Sequence, residues 1–316
     1  MNNNRIEHVN QVFLATVLTF ILGSYLLQMI KDGLNITIPT FVRLVYSQII
    51  FVLPAVIYLF IKKIPPWEFI RLKKVNFVTV ILLVLLGIFI RPFMSLLSAI
   101  SMIWVENTIA DTATSLMSEV NFWLALVFIA IIPAILEEFV YRGVFYNEYR
   151  KINTKKAVLL SGLLFGLMHM NVNQFVYAFF MGVIFALIIE ATDSILASMI
   201  VHFTINGSSL LFLKIAPWLQ QKAGNADQTA LLDTSATTRE DVIRLLPSMI
   251  VPAIMALAIS LLLYYGIVTY NKRVDAVKLI FSKETSEKKT VRLITWPLAA
   301  GIGICLLLMI LNTIKV

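Results

Sequence analysis

Residues 121–147 read NFWLALVFIAIIPAILEEFVYRGVFYN, and Glu137, Glu138 and Arg142 are their only charged residues. A helix needs about 20 mostly apolar residues to cross a bilayer core roughly 30 Å thick. This stretch is long enough and apolar enough for that. It therefore predicts a transmembrane helix that carries two acids and one base inside the bilayer.

Similar apolar runs recur along the chain. They predict nine spans, at residues 9–30, 41–61, 76–104, 121–147, 157–171, 173–191, 194–214, 245–270 and 293–313. The fifth run is short enough for a half-span, so eight full spans is the alternative count. Lipid offers no partners for backbone polar groups, and these runs are too continuous for barrel strands. We therefore expect an all-α, polytopic transmembrane bundle of about eight or nine spans.

The composition agrees with a membrane protein. Hydrophobic residues make up 59% of the chain and charged residues 14%, where soluble domains have about 25% charged residues. Cys305 is the only cysteine, so a disulfide framework and a cysteine-based metal site are excluded. No internal repeat is visible, and residues 1–316 are expected to form a single integral membrane domain.

The basic residues predict the orientation. Residues 62–74 contain five Lys or Arg, and the stretch after Asn271 contains seven against three acids. Residues 105–120 contain three acids and no cation. By the positive-inside rule the first two regions are cytoplasmic and the third is exterior, which also places the N-terminus in the cytoplasm. The net charge of +8 thus reflects basic loops that orient the chain in the lipid bilayer, and we expect no nucleic-acid partner.

Polar residues inside the spans point to a site. A charge at the bilayer centre costs about 3 kcal/mol, so intramembrane ionisable groups mark functional sites. At about 1.5 Å per helical residue, Glu137 and His169 each lie about 20 Å, and His202 about 14 Å, from the predicted cytoplasmic face. Three spans therefore bring titratable groups to similar depths from one side.

The spacing on each helix adds detail. Residues four apart share a helical face, so Arg142 is expected to neutralise Glu138 and leave Glu137 to find a different partner. His202 and Asn206 have the same spacing and face one point. Phe165 and His169 share it too, which places an aromatic wall beside the imidazole. Pro133 is expected to kink the fourth span.

Other polar residues in or beside the spans have plainer interpretations. Arg91 is expected to pair with an acid such as Glu137, Glu138 or Glu190, with binding of a substrate carboxylate as the alternative. Glu190 and Asp193 are expected to be solvated groups at the membrane interface.

The sequences EEFVYR, FGLMH and HFTIN, in this order, resemble the three motifs of the CAAX protease and bacteriocin-processing (Abi) family of intramembrane proteases, which includes the type II CAAX prenyl endopeptidases. The resemblance covers about residues 76–214, the expected catalytic core. It implies peptide-bond hydrolysis of a membrane-associated peptide or protein.

The resemblance and the chemistry together suggest a role for each matched residue. Glu137 and His169 would activate water, and His202 and Asn206 would stabilise the oxyanion. Glu138, Arg142 and Phe165 would support the site.

Several alternatives stay open. Glu137, His169 and His202 are acceptable zinc ligands, so the enzyme either requires no cofactor or uses Zn²⁺. The chain lacks the HExxH spacing of a strong zinc motif. A non-catalytic scaffold or immunity protein of the same fold, or a proton-coupled transporter, would also place ionisable groups in the membrane.

Overall fold

The computed structural model describes residues 3–63, 65, 70–105, 108–223, 239–281 and 292–314, and these ranges contain helices and no β-strand. The helices of these ranges, numbered in chain order, are α1 (Asn3–Leu34), α2 (Thr40–Ile61), α3 (Phe77–Phe89), α4 (Arg91–Ser101), α5 (Thr108–Glu119), α6 (Phe122–Tyr149), α7 (Thr154–Leu167), α8 (Val172–Thr192), α9 (Ile195–Ala223), α10 (Arg239–Tyr270), α11 (Val274–Phe281) and α12 (Trp296–Ile314). The predicted all-α architecture is confirmed.

Eight stretches in the described ranges are long and apolar enough to cross a membrane, with α3 and α4 counted as one. The chain is therefore an integral, multi-pass membrane protein. The predicted fifth span is helix α7, which has 14 residues and covers about 21 Å. This is shorter than a bilayer core of roughly 30 Å, so eight is the count that the structure supports.

Helix α6, the fourth span, is not a regular α-helix. Two π-helical segments, Val127–Ile131 and Phe139–Tyr146, flank an α-helical turn at Ile132–Glu138. Pro133 lies at the start of that turn, directly after the first π segment, and its ring nitrogen has no hydrogen to donate. π segments often occur at functional sites, and here they flank the two adjacent glutamates.

Helices α7 and α8 form a hairpin that is packed closely through glycines. A Cβ atom on Gly162 would lie 2.8 Å from Val183 Cγ2 and 2.9 Å from the Phe179 carbonyl oxygen. A Cβ on Gly182 would lie 2.7 Å from the Cα of Gly162. Small residues allow such contact between membrane helices. The close approach brings the end of α7 against the aromatic side chains of α8.

Glu190 is the centre of a polar cluster at one end of the bundle. Its carboxylate accepts hydrogen bonds from Arg71 at 2.9 Å, from the Tyr146 hydroxyl at 2.9 Å and from Arg150 at 3.0 Å. The Nη2 of Arg273 lies 3.9 Å from the same carboxylate. Glu190 is 2% exposed, so the expectation that it is a solvated interfacial group is wrong. Its burial is possible because several cations surround it.

The same end holds the segment between α2 and α3. Arg71 also pairs with Asp193 at 3.3 Å, and the Arg71 carbonyl accepts a hydrogen bond from the Ile195 amide at 2.9 Å. Lys73 pairs with Asp193, and its carbonyl accepts from the Ser194 hydroxyl at 2.6 Å. Asp193 is therefore ion-paired as well.

Further contacts bring more basic residues to this end. Arg5 pairs with Glu148 at 3.0 Å, and the Lys62 ammonium lies 3.5 Å from His8 Nε2. We call this end, with Arg5, Lys62, Arg71, Arg150 and Arg273, the basic end. The regions predicted to share one side of the membrane therefore meet. Which side faces the cytoplasm stays a prediction.

At the other end of the bundle, Glu119 binds the start of α2. Its carboxylate accepts hydrogen bonds from the Thr40 hydroxyl at 2.7 Å and from the Thr40 amide at 2.9 Å. These hydrogen bonds, the hydroxyl bond first, lower the pKa of Glu119 below its usual value. Glu119, in the stretch predicted to lie opposite the basic loops, therefore contacts the end of α2 that is remote from Lys62.

We expect Glu190→Gln to loosen the 70–75 segment, because three arginines would lose their shared anion and repel each other. Hydrogen–deuterium exchange of peptides covering residues 70–75 should become faster than in the wild type. Asp111→Asn, an exposed acid at the other end, is the control and should leave this exchange unchanged. Equal exchange in Glu190→Gln and the wild type would show that the cluster does not hold the segment.

Candidate active site

Glu137 lies between two polar side chains from other helices. Its Oε1 accepts a hydrogen bond from Gln48 Nε2 of α2 at 3.0 Å. Its Oε2 lies 3.9 Å from His202 Nε2 of α9, a gap that one bridging water can span. The side chain of Glu137 is 17% exposed and that of His202 is 2% exposed. The predicted meeting of Glu137 with an imidazole from another span is therefore present in the structure.

The other nitrogen of His202 contacts Glu138. Nδ1 lies 3.1 Å from Glu138 Oε1, and that oxygen also accepts from Arg142 Nη1 at 2.9 Å. A carboxylate paired with a guanidinium is an acceptor, so Nδ1 carries a hydrogen and donates it. The other ring nitrogen, Nε2, then faces Glu137. The pairing of Glu138 with Arg142 is as the spacing predicts, and it also fixes the tautomer of His202.

Arg142 is fully enclosed. Its Nη2 donates to the Gly182 carbonyl of α8 at 3.0 Å, and its guanidinium carbon lies 4.6 Å from the Phe165 ring centroid and 5.0 Å from that of Phe185. Cations over aromatic faces are stabilised by the ring quadrupole. Arg142 thereby joins α6, α7 and α8 around the site.

His169 lies just past the end of α7, where Met168 is the C-terminal cap. Its Nδ1 is 2.9 Å from the Phe165 carbonyl oxygen, which only accepts, so Nδ1 is the protonated nitrogen and Nε2 carries the lone pair. The Phe165 ring lies edge-on to both imidazoles, with centroids 5.3 Å from His169 and 5.8 Å from His202. The aromatic wall predicted beside His169 is therefore observed, and it separates the two histidines.

Asn206 follows His202 by one turn of α9. Its Nδ2 donates to the Ile129 carbonyl in the first π segment of α6 at 3.2 Å. An amide nitrogen has two hydrogens, so the second remains available to another acceptor. This contact holds Asn206 on the side of α9 that faces α6, the helix that carries Glu137.

A zinc site needs three or four protein ligands, each about 2.0–2.3 Å from the metal. In the described residues no group of three or more His, Cys, Asp or Glu side chains is arranged to hold a metal ion. His202 and Glu137 approach each other, whereas His169 is joined to them only through the Phe165 ring. The residues as arranged do not form a three-ligand zinc site, and these side chains would act on water without a metal.

Two residues of the site were not predicted from the sequence. Gln48 is an amide in the apolar run of α2, so the rule that singled out the other intramembrane polar groups also applies to it. Phe185 stacks on His202 with ring centroids 5.0 Å apart. One phenylalanine among 21 gives no signal in the sequence.

The expected pairing of Arg91 with an acid is wrong for the described residues. Its guanidinium carbon lies 5.4 Å from the ring centroid of Phe212, and no ion pair joins it to a described carboxylate. Glu138 and Glu190, two of the acids proposed for it, have other cations as partners.

The arrangement combines the elements of an acid–base site. A partly exposed carboxylate, two imidazoles and an amide donor come from α6, α9 and the end of α7. The buried Glu138–Arg142 pair holds His202. The rings of Phe165 and Phe185 pack against the imidazoles and shield them from water. Such a set can take a proton from water and donate to a developing anion.

Comparison with known proteins agrees with this site. Residues 119–208, less than a third of the chain, match the family model described as type II CAAX prenyl endopeptidase Rce1-like. All three motifs, from Glu137 to Asn206, lie within the match. No curated protein and no solved structure matches the chain. The resemblance predicted from the three motifs is therefore confirmed for residues 119–208, which are similar to the Rce1-like type II CAAX prenyl endopeptidase family.

Proposed function

We propose that the protein is an intramembrane endopeptidase that hydrolyses a peptide bond of a membrane-associated peptide or protein. The observation that supports this most strongly is the 3.9 Å separation between Glu137 Oε2 and His202 Nε2. That gap suits one water held between a general base and a second polar group. The family match adds the peptidase class.

In the first step Glu137 takes a proton from the water. We assign His169 the second contact with this water: its Nε2 carries the lone pair, since Nδ1 donates to the Phe165 carbonyl, and it accepts the water's other hydrogen past the edge of the Phe165 ring, which contacts both imidazoles. The water oxygen then attacks the carbonyl carbon of the substrate. A carbon–oxygen bond forms, and the carbonyl oxygen becomes an oxyanion.

Asn206 and His202 stabilise that oxyanion. Asn206 donates the amide hydrogen that does not bind Ile129. His202 enters the reaction with a hydrogen on both ring nitrogens: Nδ1 donates to Glu138, and Nε2 donates to the oxyanion. Donors directed at developing charge in a water-poor site are usually the largest contribution to catalysis.

Collapse of the tetrahedral intermediate completes the reaction. The carbon–nitrogen bond breaks, and the proton held by Glu137 passes to the leaving amine. The products are a new carboxyl terminus and a new amino terminus, and Glu137 returns to its carboxylate form.

The substrate reaches the site from the basic end or laterally from lipid, since three spans bring Glu137 and the two histidines to similar depths from that end. The matched family is named for prenylated CAAX substrates. An internally quenched peptide ending in a farnesylated Cys-aliphatic-aliphatic-X sequence, which we call the farnesyl probe, is therefore the first probe for this activity.

The proposal is tested by comparing membranes that contain the wild type with membranes that contain Glu137→Gln. Peptides are extracted and identified by mass spectrometry, with the farnesyl probe added to half of the samples. We expect products that appear only with the wild type. A phenotype that survives in Glu137→Gln would indicate a scaffold, and solute flux without any product would indicate a transporter.

We expect activity to be independent of added or removed metal. Purified protein dialysed against EDTA should retain its rate on the farnesyl probe within about two-fold, since no three-ligand site is formed. Metal content measured by mass spectrometry should be well below one ion per chain. Loss of activity on dialysis, with recovery on adding Zn²⁺, would overturn the metal-free mechanism in favour of the zinc alternative.

A further inference from the structure

Gln48 belongs to α2, outside both the motif region and the family match at residues 119–208. Its Nε2 nevertheless donates to Glu137 Oε1 at 3.0 Å. A side chain from a separate span thus contacts the proposed base directly. The contact couples α2 to the chemistry of α6.

The hydrogen bond fixes both ends of the Gln48 amide. A carboxylate accepts and does not donate, so the nitrogen must face Glu137 and Oε1 must face away. Oε1 is buried and accepts no hydrogen bond from the described residues. A buried acceptor without a donor destabilises a protein. Oε1 is therefore an acceptor that no donor of the described residues satisfies, and a donor from outside the chain reaches it when it displaces the side chains that cover it.

The contact also orients Glu137. With Oε1 held by Gln48, the second oxygen, Oε2, is the one that faces His202. A base whose working oxygen is already oriented needs no rotation when the water arrives.

A peptide substrate supplies the missing donor. Each residue of an extended peptide, proline excepted, carries one backbone N–H, and each buried N–H requires an acceptor. In a water-poor site that acceptor must come from the protein.

We propose that Gln48 is a positioning residue for Glu137 and a binding residue for the substrate, in which Nε2 holds the carboxylate and Oε1 accepts a backbone N–H beside the scissile bond. This inference rests on the proposed peptidase function. It assigns a specific task to a helix outside the family match, and it makes the peptide backbone, rather than a side chain, the group that Gln48 recognises.

Two variants of Gln48 test the two halves of the proposal on the farnesyl probe. Gln48→Leu removes donor and acceptor at similar size, and we expect kcat/KM to fall on the order of 100-fold, with a lower kcat and a higher KM. Gln48→Glu keeps an oxygen but adds a second carboxylate beside Glu137. We expect its KM to stay near the wild-type value while the acidic limb of its pH–rate profile moves to higher pH, because neighbouring carboxylates resist ionising together.

Gln28→Leu is the matched control. Gln28 also donates its amide to a carboxylate, that of Asp32, at 2.9 Å on the exposed side of α1. Its kcat, KM and pH profile should equal those of the wild type. Melting curves of all variants in the same detergent separate a loss of folding from a loss of function.

The pH profile distinguishes a positioning role from a merely structural one. If Gln48→Leu fails to fold, Gln48→Glu alone carries the test. An unmoved acidic limb in Gln48→Glu, or a Gln48→Leu variant within two-fold of the wild type in kcat and KM, would overturn the inference. When one of these outcomes is observed and Glu137→Gln is inactive in the same assay, only the inference about Gln48 fails. If Glu137→Gln is fully active, the proposed function fails with it.

Discussion

Replacing Glu137 by Gln is expected to lower kcat by about 10²- to 10⁴-fold, the usual contribution of a general base. The amide has nearly the same shape and can still contact Gln48, so folding should be preserved. It cannot take a proton from water, and this is the step that the proposal assigns to Glu137. Initial rates on the farnesyl probe, with protein in lipid nanodiscs, measure the effect.

Glu240→Gln is the control for this variant. Glu240 is an exposed acid in the first turn of α10, so the same chemical change there should leave kcat unaltered. A Glu137→Gln variant that keeps more than about half of the wild-type kcat would remove Glu137 from the mechanism, since a general base contributes far more than this.

Replacing Arg142 by Leu is expected to destabilise the protein by about 3–5 kcal/mol, the usual cost of leaving one buried charge of a pair without its partner. Arg142 and Glu138 are both 0% exposed in their side chains. The loss would also free the Gly182 carbonyl and remove the cation between Phe165 and Phe185. Activity should fall as well, because Glu138 holds His202.

The control for Arg142→Leu is Arg244→Leu. Arg244 pairs with Asp241 at 3.6 Å with a side chain 63% exposed, and exposed pairs contribute about 0–1 kcal/mol. Unfolding in detergent, followed by circular dichroism, compares the two. The double variant Glu138→Gln/Arg142→Leu should be more stable than Arg142→Leu, since no uncompensated charge remains. Equal stability of Arg142→Leu and the wild type would contradict this account of the ion pair.

Contacts within one helix or at its end could be predicted from the sequence. The pairing of Glu138 with Arg142 and the contact of Phe165 with His169 depend on residues four apart, and both are observed. Apolar runs likewise located the spans, because length and polarity alone decide what crosses a bilayer.

Contacts between helices were harder to predict. His202 was expected to face one point together with Asn206, and the contact of its Nδ1 with Glu138 was not predicted, because the rotation of α9 against α6 is set by packing. Gln48 was missed for the same reason, because a neutral amide in an apolar run does not indicate which residue of another helix it contacts. The Glu190 cluster shows that a residue at a span end can be buried when several chain segments bring cations to it.

The irregular backbone of α6 is a third feature that the sequence did not predict. The estimated depth of Glu137 assumed a regular α-helix, whereas α6 contains two π segments. A π-helix has wider turns, so residues beyond it face different neighbours from those that a count of 3.6 residues per turn gives. The sequence offers Pro133 as a sign of irregularity, but not its form.

A single-turnover reaction in H₂¹⁸O tests whether side chains from α6, α9 and the end of α7 activate a water. Purified protein in excess over the farnesyl probe is quenched early, and the products are analysed by mass spectrometry. Attack by an activated water places one ¹⁸O atom in the new carboxyl terminus and leaves the peptide that contains Glu137 unlabelled. Label on the Glu137 peptide, together with an unlabelled new carboxyl terminus, would show covalent attack by the protein and rule out direct attack by water.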